Sequence, residues 1–348
     1  MIVIINDIGD GLFVDFRLKN ERLVTDFGSQ HDVNKGLLYR FCHSFPFSFV
    51  LSHFHSDHYS GLVNIAHSGM CAHIDTVYFP RLPKFSNRSA LLKAFQTVNF
   101  YLLGNDSGSM EYDFINLISK ISYNRRFNVI PVSQGDFINL GQKSFQVIWP
   151  PREIDNSFTE SVEKVIKLFN EELQKDDILQ KIYKTLDNSF YQDKEEEFNF
   201  ESEQTEKGTI NLIDSEQRNE RLKHIKNLND ELRGIANRIS LAYCNNQLLF
   251  LGDLEANEID NALEYNLSVS NNSYWDMVIL PHHGTHWGKE MSNIRCKVAV
   301  SSLGNRLKNY WKIKNKSIAD ENYLTYYNGR IIKKLGIRCC YTPWECYW

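Results

Sequence analysis

Short apolar runs open the chain and set its period. Positions 3–5, 12–16 and 22–26 each predict a strand. They are rich in Val, Ile, Leu and Phe and are separated by the turn signals Gly9-Asp10-Gly11 and Lys19-Asn20-Glu21. The third run ends in Asp26, with Gly28 close behind, which puts a carboxylate at a strand end. A strand is predicted over 47–51, a helix start over 61–66 and a short strand over 76–79. A largely helical stretch over 89–123 follows, with Leu91, Leu92, Phe95 and Val98 at helical spacing. Strands over 127–130, 136–140 and 145–149 come next, closed by Pro150-Pro151.

The pattern changes between 152 and 235. Val162, Val165, Ile166, Phe169 and Leu173 fall on one helical face, and Ile178, Leu179, Ile182 and Leu186 continue it behind Asp176-Asp177, a predicted N-cap. Leu222, Ile225, Leu228 and Leu232 mark a second helix. The segment is charged, helical and poor in glycine. It is expected to be an insertion dividing a strand-rich domain into 1–151 and 236–348. Its apolar stripes need a cover. Either the helices pair with each other, or they dock a protein partner, or they cap the active site, where the acidic stretch 193–201 would repel nucleic acid except along a defined path.

Beyond the insertion, strands over 239–243 and 247–251 are joined by the hairpin signal Asn245-Asn246. A helix over 255–263 and strands over 275–280 and 297–301 complete the pattern. Strands at both ends with helices between them predict an α/β sandwich. No internal repeat is evident.

The strongest chemical signal is Ser52-His53-Phe54-His55-Ser56-Asp57-His58-Tyr59-Ser60-Gly61, three histidines and an aspartate directly after an apolar strand. Imidazole nitrogen suits zinc and similar ions, and carboxylate oxygen tolerates Zn, Mn or Mg. The strand end can aim His53 and His55 at one ion while the turn carries Asp57 and His58 to a second. Asp253 closes the strand Leu249-Phe250-Leu251, and His282-His283 close another at Pro281. Together they describe one metal site fed by three strand ends.

Composition narrows the classes. The 348 residues are 42% hydrophobic and 24% charged, ordinary for a globular chain. The net charge of −4 gives no global footprint for nucleic acid, and no basic stripe is evident. No apolar run reaches the ~18–20 residues of a membrane-spanning helix. The apolar start meets Asn6 and Asp7 at once and has no basic leader, so a buried strand, no membrane contact and a cytoplasmic location are expected. Seven irregularly spaced cysteines predict buried, reduced thiols.

The combination H-x-H-x-D-H, strand-end Asp and later strand-end His resembles the metallo-β-lactamase superfamily. It is most similar to the hydrolase domain of ComEC-like DNA-uptake competence proteins. The matching elements run in order: the opening hairpin through Asp7 to Val14, Thr25-Asp26-Phe27-Gly28, Gly135-Asp136 through Trp149-Pro150, Asn237-Arg238-Ile239-Ser240, Gly252 to Glu255, His282 to Thr285, and Ser301 to Asn305. The resemblance implies a four-layer αββα sandwich with a helical insertion, holding two divalent metal ions, Zn or Mn, with Mg or a single ion also admitted. It implies a metal-dependent hydrolase, foremost a phosphodiesterase or nuclease that uses a metal-bound hydroxide. The alternatives are a hydrolase of small phosphodiesters and a catalytically weak subunit acting through a protein partner. His53 and His55 would hold one ion, and Asp57, His58 and one of His282 or His283 the other. Asp253 would bridge them, with Asp57 and Asp253 central to catalysis and Asp26 orienting a ligand histidine from behind. Many superfamily members carry a further histidine where this chain has Asn237, whose amide oxygen is a weaker, harder ligand. Asn237 and His286 are therefore candidates for metal or substrate contact, and Arg306 or Lys308 for an anionic substrate.

Overall fold

The computed structural model describes residues 1–28, 34–85, 87–103, 114–123, 126–153, 155–192 and 215–336. Among them, fourteen strands form two seven-stranded sheets. The first sheet runs β14 (Ile331–Lys334), β1 (Ile2–Ile5), β2 (Leu12–Leu18), β3 (Glu21–Gly28), β4 (Phe47–Val50), β5 (Ile74–Pro80), β6 (Asn128–Val132). The second runs β13 (Ala319–Leu324), β12 (Arg295–Ser301), β11 (Tyr274–Ile279), β10 (Leu248–Phe250), β9 (Ala242–Cys244), β8 (Lys143–Trp149), β7 (Phe137–Leu140). Each sheet begins with antiparallel pairs and ends with parallel ones, from β3 to β6 and from β10 to β13. The two halves thus share a plan that the sequence does not display as a repeat.

Side-chain alternation assigns the layers. Val14, Phe16, Leu23 and Val50 point between the sheets and meet Phe145, Leu248, Phe250, Met277 and Val298. Their neighbours Phe13, Val24, Phe49 and Val77 point outward, under α1 (Lys35–Cys42), α2 (Ser56–Ser68), α3 (Arg88–Leu103) and α4 (Phe114–Ile121). On the other side Leu249, Val278 and Ala299 lie under Ile259, Ala262 and Leu263 of α9 (Ala256–Ser270). This is the αββα sandwich that the resemblance implied.

Among the described residues, four helices lie between β8 and β9: α5 (Asn156–Leu173), α6 (Asp177–Gln192), α7 (Ser215–His224) and α8 (Lys226–Arg238). Asp155 caps α5 through the Phe158 amide, and Asp176 caps α6 by accepting from the Ile178 and Leu179 amides, both at 2.9 Å. Phe158, Val162, Val165 and Phe169 of α5 and Leu179, Ile182 and Leu186 of α6 are buried in the same cluster as the outer face of the first sheet. α6 packs on α3, and α5 on α3 and α8. The apolar stripes of these helices are therefore covered within the chain. The acidic stretch 193–201 lies outside the described residues.

Some expected boundaries shift. α8 continues to Arg238, so the strand expected over 239–243 begins only at Ala242 and Asn237 lies in a helical turn. Leu228, Leu232, Ile235 and Ala236 recur at one face's spacing, and burial of that face carries the helix past the expected end. α9 likewise runs beyond 263 to Ser270. The helical stretch over 89–123 is described as α3 and α4, with 104–113 outside the described residues. α1, β13 and β14 were not foreseen. β13 carries acids on a sheet edge, β14 is four residues long, and neither alternates cleanly.

Among the described cysteines, Cys42, Cys71, Cys244 and Cys296 are free, and only Cys71 is exposed. Burial pushes the thiol of Cys42 up to about 11 and those of Cys244 and Cys296 to about 12, which suppresses the reactive thiolate. Alkylation of the native protein followed by peptide mapping is expected to label Cys71 and spare these three until denaturant is added. Labelling of Cys244 at the rate of Cys71 would contradict the packing described.

Candidate metal centre

The parallel strands of both sheets deliver the chemistry at their carboxyl ends, where open α/β sheets bind ligands. β3 delivers Asp26, β4 leads into Ser52 and His53, β10 into Asp253, and β11 into His282 and His283. α2 starts between these ends, with His55 as its N-cap residue and Asp57 and His58 in its first turn. The helix can start there because Gly28 leaves room. A Cβ at Gly28 would lie 2.5 Å from the Tyr59 amide nitrogen and 2.6 Å from the carbonyl carbons of Asp57 and His58. Asp26, His282 and His283 adopt left-handed backbone angles, with φ of 56°, 45° and 59°. Such conformations cost energy for non-glycine residues and cluster at functional sites.

Asp26 is fully buried and organises the inner wall. Its Oδ1 accepts from the Ser52 amide at 2.7 Å, and its Oδ2 from Ser52 Oγ at 2.6 Å. Oδ2 also lies 2.7 Å from His58 Nδ1, which fixes that ring with Nε2 toward the centre. Ser52 Oγ and Ser240 Oγ lie 3.0 Å and 3.4 Å from His53 Nδ1, and Ser240 Oγ accepts from the Asp253 amide at 2.9 Å. His283 Nδ1 meets the Ser302 carbonyl.

Asp253 occupies the middle. Its Oδ2 lies 3.3 Å from His58 Nε2, 3.6 Å from His283 Nε2, and 3.9 Å from both His53 Nε2 and His282 Nε2. His53 Nε2 and His55 Nδ1 are 2.8 Å apart. Donor atoms of His53, His58 and Asp253 all lie within 4.8 Å of one another, as do those of Asp57, His58 and His283. The chain therefore brings together His53, His55, Asp57, His58, Asp253 and His283. Within the His282-His283 pair, His283 is the buried member of these sets, while His282 turns its Nδ1 toward His286 Nδ1 at 2.9 Å. Asn237 stands beside Glu255, donating from Nδ2 to Oε1 at 3.0 Å.

The donor set fits a divalent cation. His55 Nε2 and His58 Nε2 are buried and lack a hydrogen-bond partner, although the latter lies near Asp253. Buried imidazole nitrogens left in this state are costly unless something fills the gap. Burial, then Arg233 nearby, pushes His55 down to about 3, and burial pushes His282 down to about 4. Burial, with His58 and His55, holds His53 well below its ordinary value. These rings are neutral at pH 7, as ligands must be. Burial opposes charge on His58, but Asp253 and Asp26 outweigh it and raise that ring well above its ordinary value. Burial works against the carboxylate of Asp57, but His58, His55 and Arg233 pull it down. Burial works the same way at Asp253, where His58, His283 and His282 pull it far down. Burial raises Asp26 against the opposing His58 charge and the Ser52 hydrogen bonds. We take the Asp26–His58 pair as carboxylate and imidazolium, because two carboxylates face that ring.

A pH dependence follows for the metal-free protein. Below about pH 6.5 the unfolded chain protonates His53, His55 and His282, while the fold keeps them neutral. The unfolded state then binds more protons, so stability drops as pH is lowered, by up to about 1.4 kcal/mol per unit per ring. His58, raised in the fold, contributes fully below its unfolded value and adds no slope there. Chelator-treated protein is expected to melt at markedly lower temperature at pH 5 than at pH 6.5. A flat melting temperature across that window would contradict the burial of neutral rings.

Ser52, Ser240, Arg233 and Glu255 support the site without a metal-ligand signature in the sequence. The first two hold histidines and Asp253. Arg233 Nη2 stands 4.0 Å from Asp57 Oδ2. Charge along the chain carries one further signal: 295–316 contains seven Lys or Arg residues and no Asp or Glu. The part of this run that follows β12 reaches the turn after β11. The Lys312 amide and Asn315 Nδ2 both donate to the Gly284 carbonyl, at 2.9 Å and 2.8 Å.

No family model matches the chain, and no curated protein matches it. Among solved structures it is similar to the metallo-β-lactamase fold protein YhfI from Bacillus subtilis, with 8% identity and a TM-score of 0.41 over 95% of this chain and 99% of that one. A protein of unknown function from Enterococcus faecalis V583 aligns at 10% identity and a TM-score of 0.24, over 93% and 88% of the two chains. The sandwich is read from the sheets themselves, and likeness at this level carries no argument about activity. No described helix is long and apolar enough to cross a membrane.

Proposed function

We propose that the chain is a metal-dependent hydrolase acting on phosphodiesters, with nucleic acid as the first substrate class. The observation that carries the proposal is the convergence of His53, His55, Asp57, His58, Asp253 and His283 at the strand ends, with His55 Nε2 buried and unpartnered. A divalent cation bound there would supply Lewis acidity, to lower the pKa of water and offset negative charge on a phosphoryl or carbonyl group. His53, His55 and Asp253 would hold one ion, and Asp57, His58, Asp253 and His283 a second. Asp26 keeps the His58 ring oriented, the Ser302 carbonyl does the same for His283, and Ser52 and Ser240 fix His53.

Two features favour a polyanionic substrate over a neutral one. Five of the seven basic residues of 295–316 follow β12, Lys312 and Asn315 of this part lie against the site's turn, and Tyr310 within it is exposed. Lysines concentrated near a cleft attract phosphates even when net charge is negative. Purified protein assayed on single-stranded DNA, duplex DNA and bis-p-nitrophenyl phosphate, with Zn, Mn or Mg supplied, tests the reading. Cleavage of DNA, dependent on added metal, is expected. Turnover of the small diester alone would reassign the substrate to a small phosphodiester. No turnover of any substrate with any metal would leave the non-catalytic subunit reading in its place.

A further inference from the structure

A second group of ligating side chains stands beside the main cluster. Glu255 is the N-cap residue of α9, and His282 and His286 lie on the turn after β11. One donor atom from each of the three lies within 4.8 Å of the other two. His282 Nδ1 is 2.9 Å from His286 Nδ1, and His286 Nδ1 is 3.2 Å from Glu255 Oε2. Donors around a first-row cation, with bonds of about 2.1 Å, stand about 3.0–3.4 Å apart. Two of the group's three edges, both at His286 Nδ1, thus already lie close to those of a coordination shell.

Asn237 supplies an independent observation. Its Nδ2 donates to Glu255 Oε1, which leaves Oε2 for the histidine side, and its own Oδ1 is buried with no partner. An unpartnered buried amide oxygen on the residue that holds Glu255 is costly. The three ligating side chains are half-buried, so an ion can enter from solvent. Two imidazoles and one carboxylate suit Zn or Mn better than Mg.

We infer that Glu255, His282 and His286 form an additional divalent-cation site beside the Asp253 cluster, taking a transition ion such as Zn²⁺ or Mn²⁺. The site does not depend on the hydrolase reading. His282 stands between the two groups, its Nε2 3.9 Å from Asp253 Oδ2. Hydrogen bonding alone is the competing account of the cluster, and ion counting separates the two.

The test uses the full chain, stripped with chelator, reloaded with Zn²⁺ or Mn²⁺ and desalted, with bound ion counted by elemental analysis and titration calorimetry. His286→Ala and Glu255→Gln are each expected to hold one ion fewer than wild type, or to bind the last ion at least 100-fold more weakly. Using both variants protects the result should either one misfold, and His58→Ala reports on the main cluster. If His286→Ala and Glu255→Gln keep the wild-type count and affinities, the cluster is hydrogen-bonded only and the inference is overturned. Loss of an ion in these variants, with none lost in His58→Ala, would uphold this site and sink the main-cluster assignment instead.

Discussion

Asp57→Asn is expected to lower kcat/KM on bis-p-nitrophenyl phosphate by about 10²–10³-fold, and His55→Ala by a similar factor. Asp57 is buried, and the positive charges of His58 and Arg233 hold it anionic against burial. Asparagine keeps the shape and removes the charge that a cation would meet. His55 presents a buried Nε2 with no partner, and alanine removes that donor outright. Asp57→Asn keeps the side-chain volume, and His55→Ala removes a buried ring at the cap of α2 and should lower stability without changing the secondary structure, so the far-UV circular dichroism of both variants should match wild type at a temperature well below melting. Near wild-type turnover in either variant would remove that residue from the chemistry.

The second large effect is on Asp26. Asp26→Ala is expected to cost about 3–5 kcal/mol, because it leaves His58 Nδ1, the Ser52 amide and Ser52 Oγ buried without their acceptor. Alanine is also poorly suited to the left-handed φ of 56° that aspartate tolerates. For a chain of this size the melting temperature should fall by about 4–7 °C. Because Asp26 orients His58, metal affinity should fall by about 10–100-fold as well. Asp26→Asn keeps one acceptor oxygen and should lie between wild type and Asp26→Ala in both readings. A melting temperature for Asp26→Ala within about 2 °C of wild type would show that the buried carboxylate is not the organiser described.

The ligands were legible because metal chemistry needs few residue types, and four of the ligands crowd into the six positions from His53 to His58. Alternating strands such as β2, β3 and β10 were legible for a related reason. One face of each meets the opposite sheet and the other meets helices, so both faces are apolar and turns stand out between them. The choice between His282 and His283 was not legible, since neighbouring residues on a turn differ only in backbone angles and partners. Nor was the place of Asn237. The sequence aligned it ahead of a strand, but packing of Leu232, Ile235 and Ala236 extends α8 through it and sets it beside Glu255. The insertion's stripes could not name their cover, because α3 lies far away in sequence. The basic run at 295–316 was present in the sequence but hidden within a negative net charge.

The most direct test of the central claim is the metal content of the purified chain and of Asp253→Ala, measured by elemental analysis after loading with Zn or Mn. Asp253 faces four imidazole rings within 3.9 Å, so its carboxylate is shared by everything the cluster holds. Wild type is expected to retain at least one ion in the Asp253 cluster, and Asp253→Ala to lose that cluster's ions while remaining folded. Wild-type protein that takes up no ion from either metal, or an Asp253→Ala variant that retains the full wild-type count, would contradict the account.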